Sequence, residues 1–175
     1  NQTGSFTAGA SFGTLDGVTL ITGLNESNIG GTGRAIEFMI NNSDKNNEYT
    51  FATTDKFFLN RDMDLSFGLS YKERDYSKSS SYELDKYQIS TGLSYQFQDN
   101  LYHFAKLSYE LDDIYVTDSG TASSTIIDVQ GRTAQFILEN EITYNTLNSF
   151  FFPRNGNYLK FANTIETPSS SKNGY

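Results

Sequence analysis

The sequence predicts an all-β protein, an antiparallel transmembrane β-barrel represented here in part, by about nine strands of a larger barrel. Three observations lead to that reading. Apolar and polar residues alternate with a period of two in segment after segment. The segments reach the ~9–11 residues that a tilted strand needs to cross a bilayer. Breaks rich in Gly, Asn, Asp or Ser separate them. The clearest segment runs from Tyr87 to Phe97, with Tyr87, Ile89, Thr91, Leu93, Tyr95 and Phe97 on one face and Gln88, Ser90, Gly92, Ser94 and Gln96 on the other. Successive strand side chains point to opposite sides of the pleat, so one face calls for an apolar environment and the other for water.

The expected strands follow in order. The first spans Gly4 to Gly13, with Phe6, Ala8, Ala10 and Phe12 opposite Ser5, Thr7, Gly9 and Ser11. A Thr14-Leu15-Asp16-Gly17 turn, whose Asp-Gly supplies positive φ, leads to the second, Gly17 to Glu26, carrying Val18, Leu20 and Leu24. The third, Gly33 to Asn42, sets Ile36, Phe38 and Ile40 against Glu37 and Asn41, and the fourth, Glu48 to Lys56, carries Tyr49 and Phe51. The fifth, Met63 to Arg74, places Leu65, Phe67, Leu69 and Tyr71 away from Ser66, Gly68, Ser70 and Lys72. Tyr87 to Phe97 is the sixth. The seventh, Tyr102 to Tyr115, opposes Ala105, Leu107, Tyr109 and Leu111 to Lys106, Ser108 and Glu110. The eighth, Thr133 to Leu147, carries Phe136, Leu138, Ile142 and Tyr144, and the ninth, Tyr158 to Thr167, carries Leu159, Phe161 and Ile165. Helix is a poor alternative, because the apolar residues recur at i, i+2, i+4 and Gly interrupts most segments.

The connections form two alternating sets. Ser27–Thr32, Phe57–Asp62, Gln98–Leu101 and Asn148–Asn157 make one, and Gly13–Gly17, Ser43–Asn47, Asp75–Lys86 and Val116–Gly131 the other. The second set lengthens along the chain, as expected of extracellular loops, which leaves short periplasmic turns and a periplasmic N-terminus on the other side. Lys, Glu, Gln and Ser on the second face of strands five to eight then line a wet lumen. A soluble sandwich with one polar face would show the same alternation, yet several of these segments exceed the usual five or six residues of a strand. An odd number of strands closes poorly, and Pro168-Ser169-Ser170-Ser171 reads as the opening of another loop, so the chain is expected to be a portion of a larger barrel.

Composition narrows the functional classes. The hydrophobic fraction is 37% and mean hydropathy −0.50, low for a soluble core, while aromatics reach 15%, with 12 Tyr, 14 Phe and no Trp. A membrane barrel needs only alternate residues to be apolar and collects aromatics at its interfaces. No run approaches the ~18 apolar residues of a spanning helix. A net charge of −8 argues against nucleic acid as a partner. The absence of Cys removes disulfides, thiolate metal sites and thiol nucleophiles. Asn1-Gln2-Thr3-Gly4 has neither the basic nor the apolar region of a signal peptide, so either one was removed or the chain begins partway through a longer protein.

Several residues invite a chemical role. Gly31-Thr32-Gly33 is followed by a strand rather than the helix a phosphate loop needs, which makes it a turn. His103, the single histidine, has no motif joining it to a serine and an acid and is placed at a membrane interface near the turn after Asn100. Asp112-Asp113 lack the spacing of a calcium loop, and Glu139 and Glu141 share one face as solvated lumen charge rather than as a glycosidase pair. No metal, cofactor or catalytic residue is expected, and the chain is read as non-enzymatic.

Three motifs carry a family resemblance that spans nearly the whole chain. Gly4-Ser5-Phe6 through Gly13, then Gly17-Val18 and Asn28-Ile29-Gly30-Gly31-Thr32-Gly33, resemble the opening two strands and first periplasmic turn of the BamA family of outer-membrane assembly factors, within the bacterial surface antigen proteins. Phe57-Phe58 resembles that family's aromatic pair after the fourth strand, with Lys56 standing where the family has Pro. Phe151-Phe152-Pro153-Arg154-Asn155-Gly156 resembles its aromatic-Pro-x-x-Gly turn before the ninth strand. The family's periplasmic POTRA repeats, the second half of its barrel and its inward-folded loop with an Arg-Gly-Phe motif have no counterpart here, which implies the first half of a barrel domain.

The resemblance implies a protein of the outer membrane that folds and inserts other β-barrels. It makes Ser5, Phe6, Thr7, Ala8, Gly9, Ala10, Ser11 and Phe12 one side of a lateral gate whose edge templates incoming strands. Gly31, Thr32, Gly33, Phe57, Phe58, Phe152, Pro153 and Gly156 become family turn positions. The implied partners are outer-membrane lipids, unfolded β-barrel clients and, through the periplasmic repeats, accessory lipoproteins of the assembly complex. The residues alone slightly favour a Gly/Ala-rich strand packed closely inside the barrel over a gate strand, and the resemblance reverses that order. A porin-like channel or a related protein-secretion transporter is the alternative, and a soluble adhesive sandwich a third.

Overall fold

The structure is a computed structural model that describes residues 3–14, 16–149 and 151–167, without the side chain of Asn60. Nine strands form one antiparallel sheet in chain order: β1 (Gly4–Gly13), β2 (Gly17–Glu26), β3 (Arg34–Asn42), β4 (Asn46–Asp55), β5 (Met63–Asp75), β6 (Tyr82–Gln98), β7 (Leu101–Val116), β8 (Gly131–Asn145) and β9 (Tyr158–Glu166). Each pairs with its sequence neighbours, and among the described residues β1 and β9 do not pair with each other, so the sheet is an open piece of barrel wall. Pro168-Ser169-Ser170-Ser171, expected to open a further loop, lies outside the described residues.

Turn chemistry explains the tight connections. Gly17 takes φ 69° after Asp16, closing the β1–β2 hairpin, and Asn100 takes φ 64° in the two-residue Asp99-Asn100 link between β6 and β7. Asn tolerates that left-handed conformation better than most residues with a Cβ. Two connections contain short helices that the alternation did not announce, α1 (Ser77–Ser80) and α2 (Ser124–Asp128), the latter capped by Ser123 accepting from the Ile126 N–H.

The largest departure from the sequence reading is β6. It begins at Tyr82 rather than Tyr87, which shrinks the Asp75–Lys86 connection to residues 76–81. The ladder continues through Glu83↔Asp75 and Tyr82↔Val116, while the outward positions there are Glu83 and Asp85. Charge on the apolar side erases the alternation without breaking the backbone pairing. The other shifts are of one or two residues: β4 runs 46–55 and β8 131–145 rather than 48–56 and 133–147, and β3 starts at Arg34 because Gly33 has φ 76°.

The register sorts the side chains into two continuous faces. Phe6, Leu24, Phe38, Phe51, Leu69, Ile89, Tyr109 and Phe136 form one cross-strand row on the apolar face. Beside it, Tyr49, Tyr71 and Tyr87 line up on β4–β6 with ring centroids 6.1 and 4.8 Å apart. Near the other end of the strands Tyr95 meets His103 edge-on at 5.4 Å. Two aromatic rows flanking an apolar band is the arrangement of a membrane barrel's interfaces. No hydrophobic residue among the described ones is buried, and Phe12 is 77% and Phe161 66% exposed. A soluble sandwich would enclose such residues, so the apolar face needs an apolar solvent.

The opposite face is polar and cross-linked by charge. Lys72 pairs with Glu48 (2.8 Å), Lys86 with Glu110 (2.9 Å), Lys106 with Glu139 (3.0 Å) and Lys160 with Glu141 (2.7 Å), each joining adjacent strands between β4 and β9. Glu110, 7% exposed, also accepts from Gln135 (2.8 Å) and Gln88 (3.4 Å). Asp112 and Asp113 project to opposite faces, Asp112 toward Lys86 (3.5 Å) and Asp113 toward Arg132 (2.8 Å), and so do not act as a pair.

Leu93 and Ser94 are neighbours on opposite faces, which makes them the sharpest comparison. Leu93→Arg should destabilise the full-length protein refolded into lipid vesicles by about 2–4 kcal/mol, and Ser94→Arg by less than about 1 kcal/mol. The loss of heat-modifiable gel migration in a urea series measures both, and equal effects would refute the two-faced wall.

Candidate functional site

Ser5 to Phe12 form most of β1, at the edge of the sheet. All ten residues of β1 pair with β2, from Gly4↔Glu26 to Gly13↔Gly17, so one side of the strand is saturated and the other bears no strand among the described residues. Every β1 residue is exposed. Phe6, Ala8, Ala10 and Phe12 share the apolar face, and Ser5, Thr7, Gly9 and Ser11 the polar one. A Cβ on Gly9 would meet nothing within 4 Å, so no close packing inside the sheet explains that glycine.

β1 is held differently from the rest of the wall. Among the described residues no side-chain hydrogen bond or ion pair joins β1 to β2 or β2 to β3; the backbone ladder is supplemented only at Thr3, just before β1, whose carbonyl accepts from the Ser27 N–H and hydroxyl, both at 3.1 Å, and whose side chain hydrogen-bonds Glu26. The polar-face ion pairs begin at β4.

The apolar band also narrows toward this edge. On β6 it runs from Tyr87 to Phe97, eleven residues, or ~26 Å of membrane height at the usual rise and tilt. On β3 only Ile36, Phe38 and Ile40 stand between Arg34 and Asn42, and on β4 Tyr49, Phe51 and Thr53 between Asn47 and Asp55. The Ile36–Ile40 stretch covers ~10 Å. Arg34 and Asp55 close the band with an ion pair at 3.0 Å on the apolar face.

Two of the three turn motifs come together. Asn28 organises the β2–β3 turn by accepting from the Gly33 N–H at 2.7 Å, and Thr32 donates to the Ile29 carbonyl at 2.7 Å. Gly30, Gly31 and Gly33 all have positive φ. In the β4–β5 turn the Phe57 N–H donates to Asp55 at 3.2 Å, and the Phe57 ring lies over Gly33, where a Cβ would sit 3.1 Å from Cδ2. Phe58 starts the 3-10 turn Phe58–Asn60 beside it. Phe152, Pro153 and Gly156 belong to the β8–β9 connection, where the Asn148 side chain accepts from the Arg154 and Asn155 N–H groups at 3.0 and 3.1 Å. Gly156, φ 108°, packs against the Thr146 backbone with no room for a Cβ. His103 lies on the apolar face with Nδ1 3.3 Å from the Tyr95 hydroxyl, consistent with an interfacial position.

Sequence reasoning missed the Arg34–Asp55 pair and the Lys86–Glu110–Gln135 cluster. Alternation assigns a residue to a face, whereas these contacts need the register between strands that share no sequence motif.

Gly33→Val should cost about 2 kcal/mol, since it combines a left-handed φ with displacement of the Phe57 ring. In a Phe57→Ala background the loss should fall to about 1 kcal/mol, the backbone part alone. Urea midpoints of the full-length protein in detergent measure the pair, and an unchanged penalty would separate the two turns.

The family model of the Omp85 superfamily domain matches residues 28–174. Among solved structures, BamA from Haemophilus ducreyi, crystallised without POTRA domains 1–3, superposes with a TM-score of 0.69 at 19% sequence identity. That match covers 97% of this chain and 35% of the Haemophilus chain, so the chain spans about a third of the protein it resembles. The open nine-stranded wall is thus a partial barrel of BamA-like fold, and by the span of the family match the chain belongs to the Omp85 superfamily.

Proposed function

We propose that residues 1–175 are the N-terminal portion of the transmembrane barrel of an outer-membrane assembly factor, which folds and inserts β-barrel proteins without enzymatic chemistry. β1 forms one side of a lateral gate, and the N-terminus is periplasmic. Unfolded barrel clients bind by β-augmentation: backbone N–H and C=O groups on the open edge recruit a strand of any sequence. The observation that carries the reading is the exposed, uncharged β1 edge, whose side chains apart from Phe6 and Phe12 are small and whose strand residues are tied to β2 by backbone bonds alone. Small, weakly specified strands exchange partners more readily than strands locked by side-chain pairs.

The narrowed band supports the same reading. A short apolar stretch makes the adjacent bilayer thin to match it, and a thinned bilayer lowers the barrier to inserting polar backbone. Accessory lipoproteins would act through periplasmic repeats outside this chain.

Cysteines placed at Thr7 or Gly9 and on the last strand of the full barrel test the gate. Oxidation that locks the seam should arrest growth of cells relying on the protein, with recovery on reduction. Normal growth with the seam locked overturns the gate.

A further inference from the structure

The two turns that meet through Gly33 and Phe57 border an open depression of about 410 Å³, lined by Ser27, Asn28, Thr32, Lys56, Phe57 and the backbone of Gly31. Its donors are unevenly committed. The Ser27 and Thr32 hydroxyls donate to the Thr3 and Ile29 carbonyls, and the Asn28 side-chain oxygen is taken by the Gly33 N–H. The Asn28 side-chain NH₂ and the Lys56 ammonium have no partner among the described residues. Of the nearby carboxylates, Asp55 is paired with Arg34 and accepts from the Phe57 N–H, and Glu26 accepts from the Asn28 N–H and from Thr3. An ammonium without an ion-pair partner and a free amide, on two residues that line one depression, can together contact an anion.

The surroundings specify what carries that anion. Ile29, Phe57 and Leu59 are exposed at the same end of the sheet, Phe57 lining the cavity itself. The Arg34–Asp55 pair marks the edge of the apolar band immediately above. A basic depression beside the border of the lipid-facing band, with apolar side chains exposed at the same end of the sheet, matches an amphiphile with an anionic head and apolar tails.

We propose that this pocket binds the phosphate headgroup of an anionic phospholipid, with Lys56 as the charged contact and Asn28 as the neutral donor. The proposal rests on the membrane-barrel reading. It adds that the leaflet is held by its headgroups at the place where the apolar band is shortest, so the thinning has a specific anchor.

Native mass spectrometry of the full-length protein, titrated in detergent with phosphatidylglycerol, tests the assignment. Lys56→Gln should weaken binding about five-fold, the effect of one interfacial cation, while Lys56→Arg retains it. Lys78→Gln, in α1 at the opposite end of the sheet, should leave it unchanged. Millimolar inorganic phosphate should not displace the lipid. Equal binding by Lys56→Gln and the unsubstituted protein overturns the site, and displacement by phosphate overturns a lipid as its occupant. Urea extraction of the same proteins from membranes keeps the two levels apart: release of the unsubstituted protein refutes the membrane reading, whereas retained insertion with unaltered lipid binding refutes the pocket alone.

Discussion

Everything in this fold depends on one continuous antiparallel backbone ladder whose two faces require different solvents. In hydrocarbon every backbone donor and acceptor needs a protein partner, and the β1-to-β9 ladder supplies them from strand to strand. The same ladder forces alternate residues outward, so Phe38, Leu69, Ile89 and Phe136 are apolar without forming a core. Stability then comes from lipid on one side and hydrogen-bonded, charge-paired side chains on the other. That division accounts for a chain of modest hydropathy with no buried hydrophobic residue among those described.

Within that constraint the wall is uneven. From β4 to β9, ion pairs on the polar face add side-chain ties to the ladder, with Glu110 at the centre of the densest cluster. From β1 to β3 those ties are missing, the side chains of β1 other than Phe6 and Phe12 are only Gly, Ala, Ser and Thr, and on β3 and β4 the apolar band shortens between Arg34–Asp55 and Asn42–Asn47. The weakly tied strands β1 and β2 thus adjoin β3 and β4, where the membrane footprint is thinnest. An edge strand in a stable protein is usually blunted by charge or cover. Ser5 to Phe12 carry no charge, and among the described residues no strand covers them, which is the observation on which the proposed gate rests.

The turns add rigidity where the strands lack it. Asn28 and Asn148 each use a side-chain oxygen to gather backbone N–H groups of their own turn, and the Phe57 ring braces the β2–β3 turn through Gly33. The edge that lacks side-chain ties is therefore attached to a hydrogen-bonded base at one end of the sheet, and the depression between the two turns is built from that bracing.

Strand order and facing were legible in the chain, because period-two alternation is a local property that each strand carries in its own residues: Tyr87 to Phe97 declares its two faces without reference to any neighbour. The turn at Gly33 and the tight position at Gly156 were legible for the same reason, as glycine at fixed offsets marks backbone that other residues resist. The extension of β6 to Tyr82 was hidden, since Glu83 and Asp85 break the hydrophobic pattern while the hydrogen bonds that define the strand come from Asp75 and Val116. The meeting of Phe57 with Gly33, the Arg34–Asp55 border and the Lys86–Glu110 cluster were likewise decided only in three dimensions. Each depends on the register of one strand against another, and that register belongs to the assembled sheet rather than to any stretch of sequence.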